Sequence, residues 1–181
     1  RENPMIGAVV LRIESPGGSA MASDVIWREV QLTAKVKPVV VSMGASAASG
    51  GYYIASPATR IYANPLSITG SIGIFYGKAD VAELLKKIGV SVETYKTAPR
   101  ADVESIYRPF TDSEKAELQK KVGQFYDVFL TRVSQGRKLA KQDVDKVGQG
   151  RVWTGEQALN RKLVDELGGL RQALAHARKL A

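Results

Sequence analysis

Two glycine-rich segments carry the groups best suited to chemistry. Ser15-Pro16-Gly17-Gly18 ends one apolar run, and Gly44-Ala45-Ser46-Ala47-Ala48-Ser49-Gly50-Gly51 comes after another. A serine on a turn after a buried strand exposes its hydroxyl, and the N–H groups beyond it can point at a developing oxyanion. Glycines in such turns leave room for a carbonyl to approach the backbone closely. The chemistry suggested is nucleophilic attack by a serine, with Ser46 and Ser49 both placed for it. Tight turns in a small-residue packing zone would have the same composition, so spacing alone does not choose between these readings.

A serine nucleophile needs a base. Gly44-Ala45-Ser46-Ala47-Ala48 lacks the last glycine of the G-x-S-x-G turn, whose mechanism also needs a histidine. The single histidine, His176, sits between Ala175 and Ala177 with no acid beside it in sequence, and reads as a surface helix residue. A lysine can serve instead, but only when neutral, which requires its pKa of ~10.4 to fall by roughly three units through burial. Lys78, Lys86, Lys87 and Lys96 lie downstream of the serines. Lys86 and Lys87 belong to an amphipathic pattern and read as solvated, while pattern does not separate Lys78 from Lys96. There is no cysteine, and one histidine cannot build a multi-histidine site, so no metal or other cofactor is expected.

The elements that must position these residues read as α/β. The valine-rich run at 6–13 is a strand buried on both faces, residues 21–36 form a helix begun by Ser23 or Asp24, and 39–41 begin a second strand. Strand, helix and strand in so short a span imply parallel pairing with a right-handed crossover. Further strands are expected at 60–63, 72–76 and 90–97, a helix at 79–88 stopped by Gly89, and an exposed loop at 98–110. Thr111-Asp112-Ser113-Glu114 is a capping box opening a long helix. Its buried stripe is Leu118, Val122, Phe125, Tyr126, Phe129, Leu130 and Val133. Helices at 142–147, 155–162 and 170–180 complete one domain over residues 1–181.

The net charge of +8 comes with basic residues interleaved with acids, as in Glu114-Lys115 and Asp143 to Lys146. That is a solvated basic surface rather than a nucleic-acid patch. No apolar run reaches the ~20 residues that cross a bilayer.

Several motifs in order resemble the signal peptide peptidase A (protease IV) family. Val10-Leu11-Arg12-Ile13-Glu14-Ser15-Pro16-Gly17-Gly18-Ser19 resembles its oxyanion-loop segment. Met43 to Ile54 is similar to its nucleophile segment, in which the serine before the glycine pair is catalytic; this selects Ser49 over Ser46. Ala63-Asn64-Pro65, Thr69-Gly70-Ser71-Ile72-Gly73, Gly150-Arg151-Val152-Trp153-Thr154-Gly155 and Leu163-Val164-Asp165-Glu166-Leu167-Gly168 continue the match.

The resemblance implies a Clp protease/crotonase-like fold with a parallel sheet, repeated β-β-α units and a helical C-terminal part. It implies Ser49 as nucleophile, N–H groups of Gly17 or Gly18 and of Gly50 as oxyanion hole, and Ser71 as the residue orienting a catalytic lysine. The short form of the family has that lysine before the aspartate corresponding to Asp102, where this chain has Ala101. Ala98-Pro99-Arg100-Ala101-Asp102-Val103 instead resembles the C-terminal half of the tandem long form, whose first half supplies the lysine. An engineered lysine-to-alanine change is the lesser reading. The implied partners are signal peptides or other extended peptides, the lysine-bearing N-terminal half and further copies in a homo-oligomer. The implied place is the periplasmic side of the bacterial cytoplasmic membrane, with an anchor outside this chain. A non-catalytic assembly module of the same fold, and acyl-CoA chemistry of the crotonase type, are the alternatives.

Overall fold

A computed structural model describes the whole chain, Arg1–Ala181. Its elements are β1 (Val9–Ser15), α1 (Ala20–Ala34), β2 (Val39–Ala48), α2 (Gly50–Ala55), β3 (Arg60–Ala63), β4 (Ile68–Gly70), α3 (Ala82–Lys87), α4 (Asp112–Arg137), α5 (Lys141–Val147), β5 (Val152–Thr154), α6 (Gly155–Asn160), β6 (Glu166–Leu167) and α7 (Leu170–Leu180). Internal contacts divide the chain into two compact units, one of Arg1–Ile74 with Phe125–Ala181 and one of Phe75–Gln124.

In the first unit β2 is the hub. It pairs in parallel with β1 along one edge. Along the other it pairs with β3 through Val40–Ser42 and with β4 through Ser46–Ala48. β6 joins β3 in parallel, and only β5, on β4, runs antiparallel. The expected α/β class with a mostly parallel sheet is therefore present. One face of the sheet carries the main core, in which Trp27, Met43, Tyr52, Tyr53, Phe129, Val133 and Leu163 pack together. The other face is covered by α7, whose Ala173 and Ala177 meet Val40 and Tyr62. Cover on both faces is what the valine runs of β1 and β2 require.

Several boundaries differ from the sequence expectation. β2 continues to Ala48, because Ser46–Ala48 pair with β4 and Ala47 also with Ser15 of β1, which carries the weak strand formers Gly44, Ala45 and Ser46 into the strand. Residues 72–76 form no strand; the pairing segment is Ile68–Gly70, in register with the end of β2. Residues 90–97 form none either, and Val90, Val92 and Tyr95 are exposed. α1 begins earlier than expected: Ser19 caps it by accepting the Ala22 N–H at 3.3 Å. Ser23 is buried within the first turn, donating to the Ser19 carbonyl. In α4, Phe129, Leu130 and Val133 are buried as expected, but Phe125 is 52% exposed. No helix is long and apolar enough to cross a membrane.

The second unit is organised around Arg108. Its guanidinium grips Asp102 (2.8 and 3.0 Å) and Glu114 (2.7 and 2.8 Å) together. Glu114 also accepts the Thr111 N–H at 2.8 Å while its own N–H donates to the Thr111 hydroxyl at 3.3 Å, completing the expected capping box. The Arg108 hydrogen bonds, with help from Thr111, hold the Glu114 carboxyl down at about 2, against an ordinary 4.5. Asp102 is held below the usual carboxylate range, chiefly by Arg108 and then by Lys96. Lowered folded-state values mean that the stabilisation is complete above the unfolded values and is lost as pH falls through the folded ones. Amide shifts of Thr111 and Glu114 followed by NMR on acidification should therefore move only toward pH about 2. In Arg108→Gln the same transition should rise toward the ordinary carboxylate range. Equal midpoints in the two proteins would contradict this account of the clamp.

Candidate active site

Ser49 is the residue between β2 and α2. Its backbone, at φ 50° and ψ −118°, lies where a residue with a side chain is strained, typically by about 1–3 kcal/mol. The surroundings hold it there. The Ser49 N–H donates to the Gly70 carbonyl at 2.9 Å, and the Ser49 carbonyl accepts from the Tyr53 N–H at 2.8 Å. The side chain makes no capping hydrogen bond to α2. A strained turn held by its backbone, with the hydroxyl left over, is how a strand end presents a nucleophile.

The first glycine turn lies directly against this one. A Cβ on Gly17 would sit 2.7 Å from the Ser49 Cβ and 3.1 Å from its hydroxyl oxygen. A Cβ on Gly50 would sit 2.5 Å from the Ser23 hydroxyl and 3.4 Å from the Gly18 nitrogen, and one on Gly51 would be 2.6 Å from the Ser15 carbonyl. Gly17 and Gly18 have φ of 125° and 149°, which side-chain-bearing residues rarely adopt. The two turns fit because neither has side chains at the contact.

The N–H groups near Ser49 are not equivalent. The Gly17 N–H donates to the Ser15 hydroxyl at 3.2 Å. Those of Gly18 and Gly50 have no acceptor within the chain. Ser71 comes directly after β4 as Ser49 comes after β2, and the residues before them, Gly70 and Ala48, are register partners. Ser71 also has positive φ, 49°, and is fixed by its N–H to the Arg151 carbonyl at 2.8 Å. The structure thus brings Ser49, Gly17, Gly18, Gly50 and Ser71 to one end of the sheet. Ser46 is different: it lies within β2, paired with Ile68, and its N–H is bound by Glu14 at 2.9 Å.

A cleft of about 410 Å³ opens beside Ser49 and Gly50. Met21, Val25, Ile74, Val128 and Phe129 make its walls largely apolar. Its polar feature escaped the sequence reading, since it joins residues distant in the chain. Tyr53 donates to Asp24 at 2.7 Å, and Arg132, stacked 3.9 Å over the Trp27 ring, reaches the same carboxylate at 3.3 Å. Burial, reinforced by the Asp24 bond, pushes the Tyr53 phenol up to about 12.

The other sequence candidates have other partners. His176 is half-buried rather than a plain surface residue: its Nδ1 lies 2.7 Å from the Tyr62 hydroxyl, which also bonds Glu166 at 2.9 Å. Tyr62 thus links His176 to an acid that sequence neighbours did not reveal. In the second unit the Lys78 amine donates to the carbonyls of Val103 and Ser105 at 2.8 and 2.7 Å and lies over the Phe110 ring. Lys96 bonds Asp102 at 3.1 Å. Lys86 forms an exposed pair with Glu83, and Lys87 is exposed. Ala101 is exposed in a turn of that unit.

The family model described as peptidase family S49 matches residues 31–181. The chain belongs to peptidase family S49. Its mostly parallel sheet with helical cover is the Clp protease/crotonase-like fold of that family. Among similar proteins is the chloroplastic serine protease SPPA of Arabidopsis thaliana, 42% identical over 182 residues and covering 100% of this chain. Protease 4 of Salmonella typhi is 44% identical over 100% of the chain, and Protease 4 of Haemophilus influenzae 45% identical over 97%. The chain spans 27%, 29% and 28% of the lengths of these three relatives. Membership supports serine-peptidase chemistry for the domain.

The close fit of the turns makes a stability prediction. Gly17→Ala suffers both the strained φ and a collision with Ser49, whereas Gly18→Ala has nothing within 4 Å of its new methyl. Denaturant unfolding should show Gly17→Ala less stable than Gly18→Ala by about 1 kcal/mol or more, the usual scale of overpacking. Equal losses at the two positions would mean that the turns are not in contact as described.

Proposed function

We propose that this chain is the serine-bearing half of a serine/lysine peptidase that cleaves residual signal peptides, corresponding to the C-terminal half of the long form of signal peptide peptidase A. The observation carrying this reading is Ser49 on its strained turn between two unpaired N–H groups, those of Gly18 and Gly50. In this mechanism the Ser49 hydroxyl attacks the scissile carbonyl and a neutral lysine amine takes its proton. The lysine then protonates the departing amine, and water releases the acyl group from Ser49 by the same route. The Gly18 and Gly50 N–H groups stabilise the oxyanion. Gly17 serves by its lack of a side chain, its own N–H being held by Ser15.

The base comes from outside the chain in this reading. The Lys78 amine is engaged by two carbonyls and Lys96 by a carboxylate, and position 101 is alanine. The lysine-bearing N-terminal half supplies the amine, and Ser71 orients it. The substrate lies extended past Gly18 and along Gly73 and Ile74, which line the cleft and belong to no strand, so that its backbone can pair there. An apolar side chain of the peptide fills the cleft, as suits a hydrophobic signal sequence. The assembly is a homo-oligomer of such pairs on the periplasmic side of the bacterial membrane.

The test is reconstitution with a peptide ester substrate. The isolated chain should show no turnover above background, because general-base assistance is worth ~10²–10⁴ in rate. Adding the lysine-bearing half should restore turnover, and an acyl-CoA thioester should remain untouched. Strong turnover by the isolated chain would refute the split pair of catalytic groups. Folded, associated halves without turnover would favour a non-catalytic assembly module.

A further inference from the structure

The pairing of β1 with β2 contains an irregularity just before the site. Ile13 pairs with Met43 and Ser15 with Ala47, so a single residue of β1, Glu14, faces three of β2: Gly44, Ala45 and Ser46. Such an excess bends the longer strand and re-aims the residues beyond it. It also leaves the N–H groups of the extra residues without their ladder acceptors. The Glu14 side chain takes their place: its two carboxylate oxygens accept the Ala45 N–H at 3.0 Å and the Ser46 N–H at 2.9 Å.

The neighbourhood is built around that carboxylate. A Cβ on Gly44 would fall 1.6 Å from a Glu14 oxygen, so only glycine admits the carboxylate here. The Gly44 carbonyl accepts from the Ser67 hydroxyl at 2.5 Å. Arg12 fixes the strand just upstream, donating to the Met43 carbonyl at 3.1 Å and the Ser42 hydroxyl at 2.9 Å. Side chains thus hold the bulge at both the N–H and the carbonyl groups of its backbone. The two N–H bonds, that of Ser46 foremost, hold the Glu14 carboxyl below its ordinary range.

The bulge decides which residue reaches the site. With the registered pair Ser15–Ala47, two further steps along each strand bring Gly17 to Ser49, in agreement with the 2.7 Å approach of a Gly17 Cβ to that of Ser49. Without the two extra residues the Ile13–Met43 register would continue and bring Gly17 to Ala47. We propose that Glu14 is a positioning residue, its carboxylate holding the bulge that sets Ser49, not Ala47, against Gly17 and Gly18. The catalytic part of this inference rests on Ser49 as nucleophile. The Glu14 side chain is 56% exposed, so water competes for the carboxylate and the clamp adds little to overall stability. Its effect falls on geometry, where a displacement of about 1 Å costs up to ~10²-fold in rate.

Two measurements test it together. In the isolated chain, hydrogen exchange at Ala45 and Ser46 should quicken in Glu14→Ala while the unfolding midpoint hardly moves; unchanged exchange at both amides overturns the clamp. In the complex with the lysine-bearing half, Glu14→Ala should lower kcat by about tenfold or more with KM within about threefold. Glu14→Gln keeps the shape and one acceptor but turns a donor toward the second N–H. It should fold as the parent does and give an intermediate kcat. Parental kcat in both Glu14 variants, in a preparation where Ser49→Ala is inactive, overturns the positioning role alone. Full activity in Ser49→Ala overturns the nucleophile assignment, and the catalytic use of the clamp with it.

Discussion

The structure depends on one close contact, the glycine turn at Gly17-Gly18 lying against the turn at Ser49-Gly50. It is a steric constraint before it is a chemical one. A methyl group at Gly17, Gly50 or Gly51 meets atoms of the opposite turn, of β1 or of α1 at under 3 Å. Much of the first unit serves that contact. The parallel pairing of β1 with β2 delivers the two turns to the same end of the sheet, and β4 anchors the second through the bond from the Ser49 N–H to the Gly70 carbonyl.

The same contact explains why the strained conformation of Ser49 persists. Strain of this kind survives only where the surroundings over-determine it. Here the backbone is gripped at its N–H by β4 and at its carbonyl by α2, while Tyr52 and Tyr53 just beyond are buried in the main core. Energy gained in the core thus stabilises a local geometry that would be unfavourable alone. The unpaired Gly18 and Gly50 N–H groups are the by-product, kept beside an apolar cleft where a hydrogen bond to a developing charge is worth more than in water.

Local features were the legible ones in the sequence. Glycine pairs announce positive φ and close approach, and the capping box at Thr111–Glu114 announces the start of α4, because each depends on residues within a few positions. The valine runs located β1 and the start of β2 by their burial. The hidden features depend on distant partners. Gly44, Ala45 and Ser46 carry no strand signal, yet they are strand because β1 pairs with the residues on either side of them and β4 pairs from Ser46 onward. The apolar stretch from Ile72 read as a strand, while Ile68–Gly70 holds the pairing with β2. Glu14 could not be read as a clamp, since the amides it binds lie 31 and 32 residues away. The choice between Ser46 and Ser49 was open to spacing. Family resemblance points to Ser49, and the structure places Ser46 within β2 and Ser49 at its end.

The central claim is that this turn makes Ser49 the reacting group, and chemical labelling addresses it most directly. The chain, combined with the lysine-bearing half, is treated with a serine-directed acylating inhibitor, digested and mapped by mass spectrometry. The account predicts a single adduct on Ser49, lost in Ser49→Ala and absent without the lysine-bearing half. An adduct on Ser46 or Ser71 in place of Ser49 would contradict it.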